Sequence, residues 1–164
     1  MLCGSLCIIR WEANNKPNTM KKNIAIVAHD KMKPQAISWT TEHVAKLQPH
    51  AIFATGTTGK LIQAANPSLA ITALKSGPLG GDQQLGAMIA EGKLDILFFF
   101  TDPMTPQPHD VDIKALLRLS TMYNCVVACN IATADFVIHS PLFEQRQIHQ
   151  VDFADYAQRL VPNT

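Results

Sequence analysis

Short apolar runs alternate along the chain with stretches in which apolar residues recur every three or four positions. The runs read as strands and the periodic stretches as helices. Asn23–Ala28 (NIAIVA) is the first strand. A helix follows, with Pro34 in its first turn and Ile37, Thr41, Val44 and Leu47 on one stripe; Pro49 stops it. Ala51–Ala54 is the second strand. TGTTGK (Thr55–Lys60) turns into a short helix that breaks at Asn66-Pro67. Ile71–Leu74 is the third strand. The third helix is Asp82–Glu91, with Leu85, Met88 and Ile89 on one face and Gly92 just past its end. Ile96–Phe100 is continuously apolar, as expected of a strand covered on both faces. Asp110 or Val111 opens a helix with Ile113, Leu116, Leu117 and Leu119 as its core stripe. Cys125–Cys129 is the fifth strand. Thr133–Ile138 is a short helix capped by Thr133, and Tyr156–Leu160 closes the chain as an amphipathic helix.

Strands that alternate with helices predict a Rossmann-like α/β domain: three layers around a central, mostly parallel five-stranded sheet. The domain spans residues 23–164. Residues 1–22 do not continue the pattern, and Met20 stands just ahead of the first strand. They are expected to be an extension outside the fold, or to precede the real start.

Composition narrows the function class. A chain of 164 residues that is 47% hydrophobic and 16% charged can bury an ordinary single-domain core. Its net charge of +1 argues against a nucleic-acid surface. No apolar run reaches membrane-spanning length, and Leu2–Ile9 has no basic residue before it, so the expected location is the cytoplasm. The cysteine pairs Cys3/Cys7 and Cys125/Cys129 lack zinc-knuckle spacing.

In a parallel sheet the ligand lies beyond the carboxyl ends of the strands. His29 and Asp30 follow the first strand here. Thr55-Gly-Thr-Thr-Gly59 follows the second, and Ser76-Gly77-Pro-Leu-Gly80-Gly81-Asp82 the third. Asp102, His109, Asp110 and Asp112 follow the fourth. Placement for solubility alone would spread such groups over both edges. The hydroxyls of Thr55, Thr57, Thr58 and Ser76, with the bare N–H groups of Gly56, Gly59 and Gly77, suit a phosphate, and Lys33 or Lys60 can add charge. Two ordinary turns would explain the same residues. Neither loop has nucleotide P-loop or dinucleotide spacing. Asp82 suits a general base beside a carbonyl, with His29 or His109 as the electrophile; an N-cap would also explain Asp82. His29, Asp30, Asp102, His109 and Asp112 are also conceivable metal ligands, but no H-x-x-x-H or comparable spacing supports a metal. His43, His50, His139 and His149 read as surface or packing residues. Trp39 and Phe98–Phe100 read as core.

At these residues the chain resembles methylglyoxal synthase. The segments that carry the likeness are IAIVAHDKMK (24–33), ATGTTGKLI (54–62), SGPLGGDQQLGAMIAEGKLDILFFF (76–100), DPMTPQPHDVDIKALLRL (102–119) and NIATADF (130–136). The resemblance implies a cofactor-free and metal-free lyase. Such an enzyme converts dihydroxyacetone phosphate to methylglyoxal and inorganic phosphate through an enediolate phosphate, usually as a homohexamer. Carried over by position, Asp82 is the base, His29 polarises substrate oxygens and His109 contacts the substrate. Lys33, Thr55, Gly56, Thr57, Thr58, Ser76 and Gly77 form the phosphate and substrate cradle. Asp30, Asp102 and Asp112 position the catalytic groups, and Arg159 is a possible C-terminal contribution. The rival reading is a non-catalytic effector-binding module of the same fold, similar to the regulatory domain of carbamoyl phosphate synthetase.

Overall fold

A computed structural model describes residues 21–145, 151 and 153. The expected helix at 156–160, Arg159, His149, Cys3 and Cys7 lie outside the described residues. Five strands form one sheet: β1 (Asn23–Ala28), β2 (Ala51–Thr55), β3 (Ile71–Leu74), β4 (Ile96–Phe100) and β5 (Val126–Ala128). Their order is β3-β2-β1-β4-β5, and every pairing is parallel.

Register decides which layer each side chain enters. Ile24, Ile26 and Ala28 of β1 align with Ile96, Phe98 and Phe100 of β4. These residues pack on one face with Ala36, Trp39, Ile62, Ala134 and Ile138. Ala25 and Val27 align with Leu97 and Phe99 and pack on the other face with Leu85, Ile89, Ile113 and Leu116. The first face is covered by α1 (Lys33–Glu42), α3 (Gly56–Ala65) and α6 (Ile131–His139). The second is covered by α4 (Gly81–Ala90) and α5 (Asp110–Met122). Phe98, Phe99 and Phe100 are all fully buried because strand alternation feeds both layers. Trp39 is in the core too, its ring 4.7 Å from that of Phe98.

Two local expectations change, and one alternative drops out. The first helix is interrupted at His43, and α2 (Val44–Leu47) follows as a separate turn. Helix α6 starts earlier than expected, and its cap is Asn130: the Asn130 Oδ1 accepts the N–H of Thr133 at 2.8 Å, so Thr133 is the capped residue. Asp82 is not a cap. Gly80 holds that position, and Asp82 is the second residue of α4. Gly92, with φ of +65°, closes α4 as expected; Lys93 N–H reaches back to the Met88 carbonyl at 2.7 Å. Among the described residues no helix is long and apolar enough to cross a membrane.

Candidate active site

The strand order reverses between β1 and β4, so the segments leaving their carboxyl ends diverge and open a crevice. A cavity of about 280 Å³ lies there. That is close to the lower end for ligand pockets, about 300 Å³, and suits a small metabolite. Its walls come from the segments after β1, β2 and β3 and from the loop before α5. His29, Asp30, Lys33, Thr55, Gly56, Thr57, Thr58, Ser76, Gly77, Asp82 and His109 all line it.

One wall is a helix start. Thr55 precedes α3 with extended backbone and makes no side-chain cap bond. The first N–H groups of a helix have no intrahelical partner, and they carry the positive end of its dipole. Here they include those of Gly56, Thr57 and Thr58. Gly56 has φ of +46°, and a β-carbon there would lie 2.8 Å from the Ser76 β-carbon. Only glycine lets these two loops close on each other. The Thr58 hydroxyl donates to the Ala28 carbonyl at 3.3 Å, tying α3 to the end of β1. Lys33 donates to the Thr57 hydroxyl and, at 2.5 Å, to Asp30. Asp30 is exposed, and the Lys33 ammonium beside it holds its carboxyl below the usual carboxylate range.

The cavity also carries the titratable groups. Asp82 is 3% exposed. Its Oδ2 stands 3.5 Å from His109 Nε2, beyond a good hydrogen bond, and has no hydrogen-bond partner in the protein. Burial pushes the Asp82 carboxyl above the ordinary value, and the Asp112 charge adds to this against the pull of His109 and His29. Gly77 leaves room for the pair. A β-carbon there would sit 2.5 Å from His109 Nε2 and 3.0 Å from Asp82 Oδ2.

His29 is set by the main chain. Its Nδ1 accepts the backbone N–H of Asp102 at 2.9 Å. A neutral ring that accepts at Nδ1 carries its proton on Nε2, and that atom is buried with no partner in the protein. Burial lowers the His29 pKa, outweighing the opposing effects of Asp102 and Asp82. The ring also rests edge-on against Phe99, 5.2 Å between centroids. The site thus brings a neutral N–H donor, a buried carboxyl and an uncapped helix N-terminus into one cavity.

Residues 35–129 match the family model for the MGS-like domain. The chain is 55% identical over 141 residues to the methylglyoxal synthase of Oleidesulfovibrio alaskensis, covering 85% of this chain and 96% of that protein. It is 60% identical over 124 residues to that of Pseudoalteromonas atlantica, covering 76% of this chain and 91% of the relative. The crystal structure of methylglyoxal synthase from Elizabethkingia anophelis superposes with a TM-score of 0.80 at 47% identity, covering 88% of this chain and 95% of that one. The chain belongs to the methylglyoxal synthase family.

The residues that the methylglyoxal synthase likeness points to are mostly gathered in this one cavity, but two acidic positions stand apart. Asp102 does not line it. Its backbone orients His29, while hydrogen bonds from Thr105 and from the Met104 N–H hold its carboxyl below the ordinary range. Asp112 lies behind Asp82, in a cleft between α4 and α5. Gln107, Pro108 and Pro78 line the cavity and were not singled out from the sequence. Gln107 carries no motif; only its nearness to His109 could have flagged it. Lys60, the alternative to Lys33, is not among the lining residues. Cys125 and Cys129 are free thiols, and burial pushes that of Cys125 up to about 12, so it acts as a small apolar side chain.

Proposed function

We propose that this chain is a methylglyoxal synthase, a carbon–oxygen lyase that converts dihydroxyacetone phosphate to methylglyoxal and inorganic phosphate. The observation that carries the reading is one cavity lined by a buried Asp82 carboxyl whose Oδ2 has no hydrogen-bond partner, a neutral His29 N–H donor and an uncapped helix start. A phosphate-binding module would need only the helix start.

The phosphate binds at the N-terminus of α3, among the Thr55–Thr58 and Ser76–Gly77 N–H and hydroxyl groups, with Lys33 as counter-charge. The far end of the substrate then meets Asp82, His29 and His109. Asp82 removes a proton from the hydroxyl-bearing carbon next to the carbonyl. The electron pair moves onto the carbonyl oxygen, where the His29 Nε2–H donates to the developing enediolate. A neutral imidazole suits this task, as in triosephosphate isomerase, a general precedent for a carboxylate base paired with a neutral histidine. When the enediolate collapses, the hydroxyl on the terminal carbon gives up its proton to the departing phosphate and becomes the aldehyde carbonyl, while the carbon–carbon double bond shifts to the phosphate-bearing carbon. The C–O bond breaks and its own electron pair leaves with phosphate. The resulting enolate takes up a proton at the carbon that lost phosphate to give methylglyoxal. The cradle holds the breaking C–O bond out of the enediolate plane, which elimination requires. His109, 3.5 Å from Asp82, contacts the substrate and limits where the carboxyl can point. Asp30 holds Lys33; Asp102 and Asp112 support His29 and Asp82.

The reaction needs no metal or organic cofactor, and the family resemblance supports a cytoplasmic homohexamer. The test is release of phosphate and methylglyoxal from dihydroxyacetone phosphate with chelator present. Equal amounts of the two products are expected. Phosphate binding by folded protein without turnover would overturn the assignment in favour of an effector-binding module.

A further inference from the structure

A second group of chemically capable side chains lies away from the cavity, where α1 ends and α6 passes over it. His43 follows the last residue of α1, about 15 Å along the helix from Lys33 at about 1.5 Å per residue. Asp135 and His139 lie four residues apart on α6, and so share one face of that helix. One ring nitrogen from each histidine and one carboxylate oxygen of Asp135 all lie within 4.8 Å of one another. The two imidazoles meet edge to face, 5.2 Å between centroids.

Each ring is already committed in one direction. His43 Nδ1 lies 2.8 Å from the Trp39 carbonyl oxygen, and His139 Nδ1 lies 2.9 Å from the Asp135 carbonyl oxygen. A carbonyl only accepts, so both rings carry a proton on Nδ1, and in the neutral ring the lone pair is on Nε2. His43 Nε2 stands 3.9 Å from Asp135 Oδ1, too far for a hydrogen bond. Asp135 Oδ1 accepts the Trp39 indole N–H at 2.7 Å, which fixes the carboxylate against α1. Histidines that donate Nδ1–H to a backbone carbonyl, beside a carboxylate held by a further donor, are the outer arrangement that orients metal ligands. His43 is buried, Asp135 half-buried and His139 exposed, so solvent can supply further ligands from one side. The position also favours a cation. His139 is in the last turn of α6, and Lys46 already donates to the Ile138 carbonyl there at 3.0 Å.

We infer that His43, Asp135 and His139 form a binding site for a divalent transition metal of the zinc, nickel or copper class, linking the end of α1 to α6. Two imidazoles and one carboxylate suit these ions and not magnesium or calcium, which prefer all-oxygen sets. The site is separate from Asp82, His29 and His109. It acts as a staple between two helices and takes no part in the chemistry. It also changes the sequence reading of His43 and His139, which treated them as surface or packing residues.

The test uses the full chain, stripped with chelator and dialysed, titrated with zinc in a calorimeter and with cobalt(II) by visible absorption. Wild type should bind one zinc per chain at this site in the presence of excess magnesium, and zinc should raise its melting temperature. His139→Gln and Asp135→Asn change solvent-accessible ligands, and the asparagine keeps an acceptor for Trp39, so both should fold. Each removes a direct ligand and should weaken zinc binding by about tenfold or more and shrink the rise in melting temperature at a fixed zinc concentration. Phosphate release from dihydroxyacetone phosphate should be unchanged in both variants. Zinc binding that both variants retain at wild-type affinity would overturn the site, as would zinc binding no tighter than magnesium.

Discussion

The two histidine–carboxylate groups in this chain are built from the same side chains and differ in what is left open. In the cavity, His29 Nε2, His109 Nδ1 and Asp82 Oδ2 are buried with no partner in the protein. At the α1–α6 contact, Nδ1 of both histidines meets a backbone carbonyl and Asp135 holds an indole N–H. Buried polar atoms without partners are costly. The first group therefore trades stability for groups able to exchange protons. The second keeps its rings fixed and leaves lone pairs, a ligand's requirement.

The sharpest way to break this contrast is Asp82→Asn. It removes the base, so turnover should fall on the order of 10²- to 10⁴-fold while phosphate affinity persists. The same change should raise the melting temperature at neutral pH, because a buried charge is replaced by a neutral amide. Loss of activity with a lowered melting temperature would mean that the carboxylate is structural.

Gly77→Ala comes next. Its methyl would sit 2.5 Å from His109 Nε2 and displace the pair. A misplacement near 1 Å costs about 10²-fold in rate. Kinetics beside a denaturation curve should show lost kcat with little lost stability.

The pH profile refines the comparison further. Burial raises the Asp82 pKa, so the acid limb of kcat/KM should lie above about 3.9, the ordinary aspartate value. The sign for stability runs the other way. The benefit of a protonated Asp82 is full below the unfolded-state value and is lost as pH rises through the folded one. The stability gap between Asp82→Asn and wild type should therefore widen with pH across that window. A gap that narrows would contradict the burial argument. The smallest effect is expected from Thr58→Val, which removes the hydroxyl bonded to the Ala28 carbonyl. Urea denaturation should show a loss of about 1 kcal/mol.

Much of this was legible in the sequence. Strand positions followed from apolar runs, because a strand buried on both faces leaves no polar alternation to misread. Ile96–Phe100 is the clearest case. The gathering of His29, Thr55–Thr58, Ser76, Gly77, Asp82 and His109 followed from the parallel sheet alone, since that topology delivers every strand end to one edge. Other features depend on geometry that spacing does not encode. The Asn130 cap displaces Thr133 because either residue could cap, and only backbone direction chooses. The difference between Asp82 in the cavity and Asp112 behind it depends on which sides of α4 and α5 face each other. The His43 group was hidden because its members lie more than ninety residues apart, and the Asp135–His139 spacing looks like an ordinary helix surface.

The bond that sets the His29 proton comes from the peptide N–H of residue 102. Every amino acid except proline supplies that N–H. The imidazole's tautomer is therefore insulated from genetic drift at its partner position: eighteen of the possible replacements for Asp102 would leave that contact chemically available.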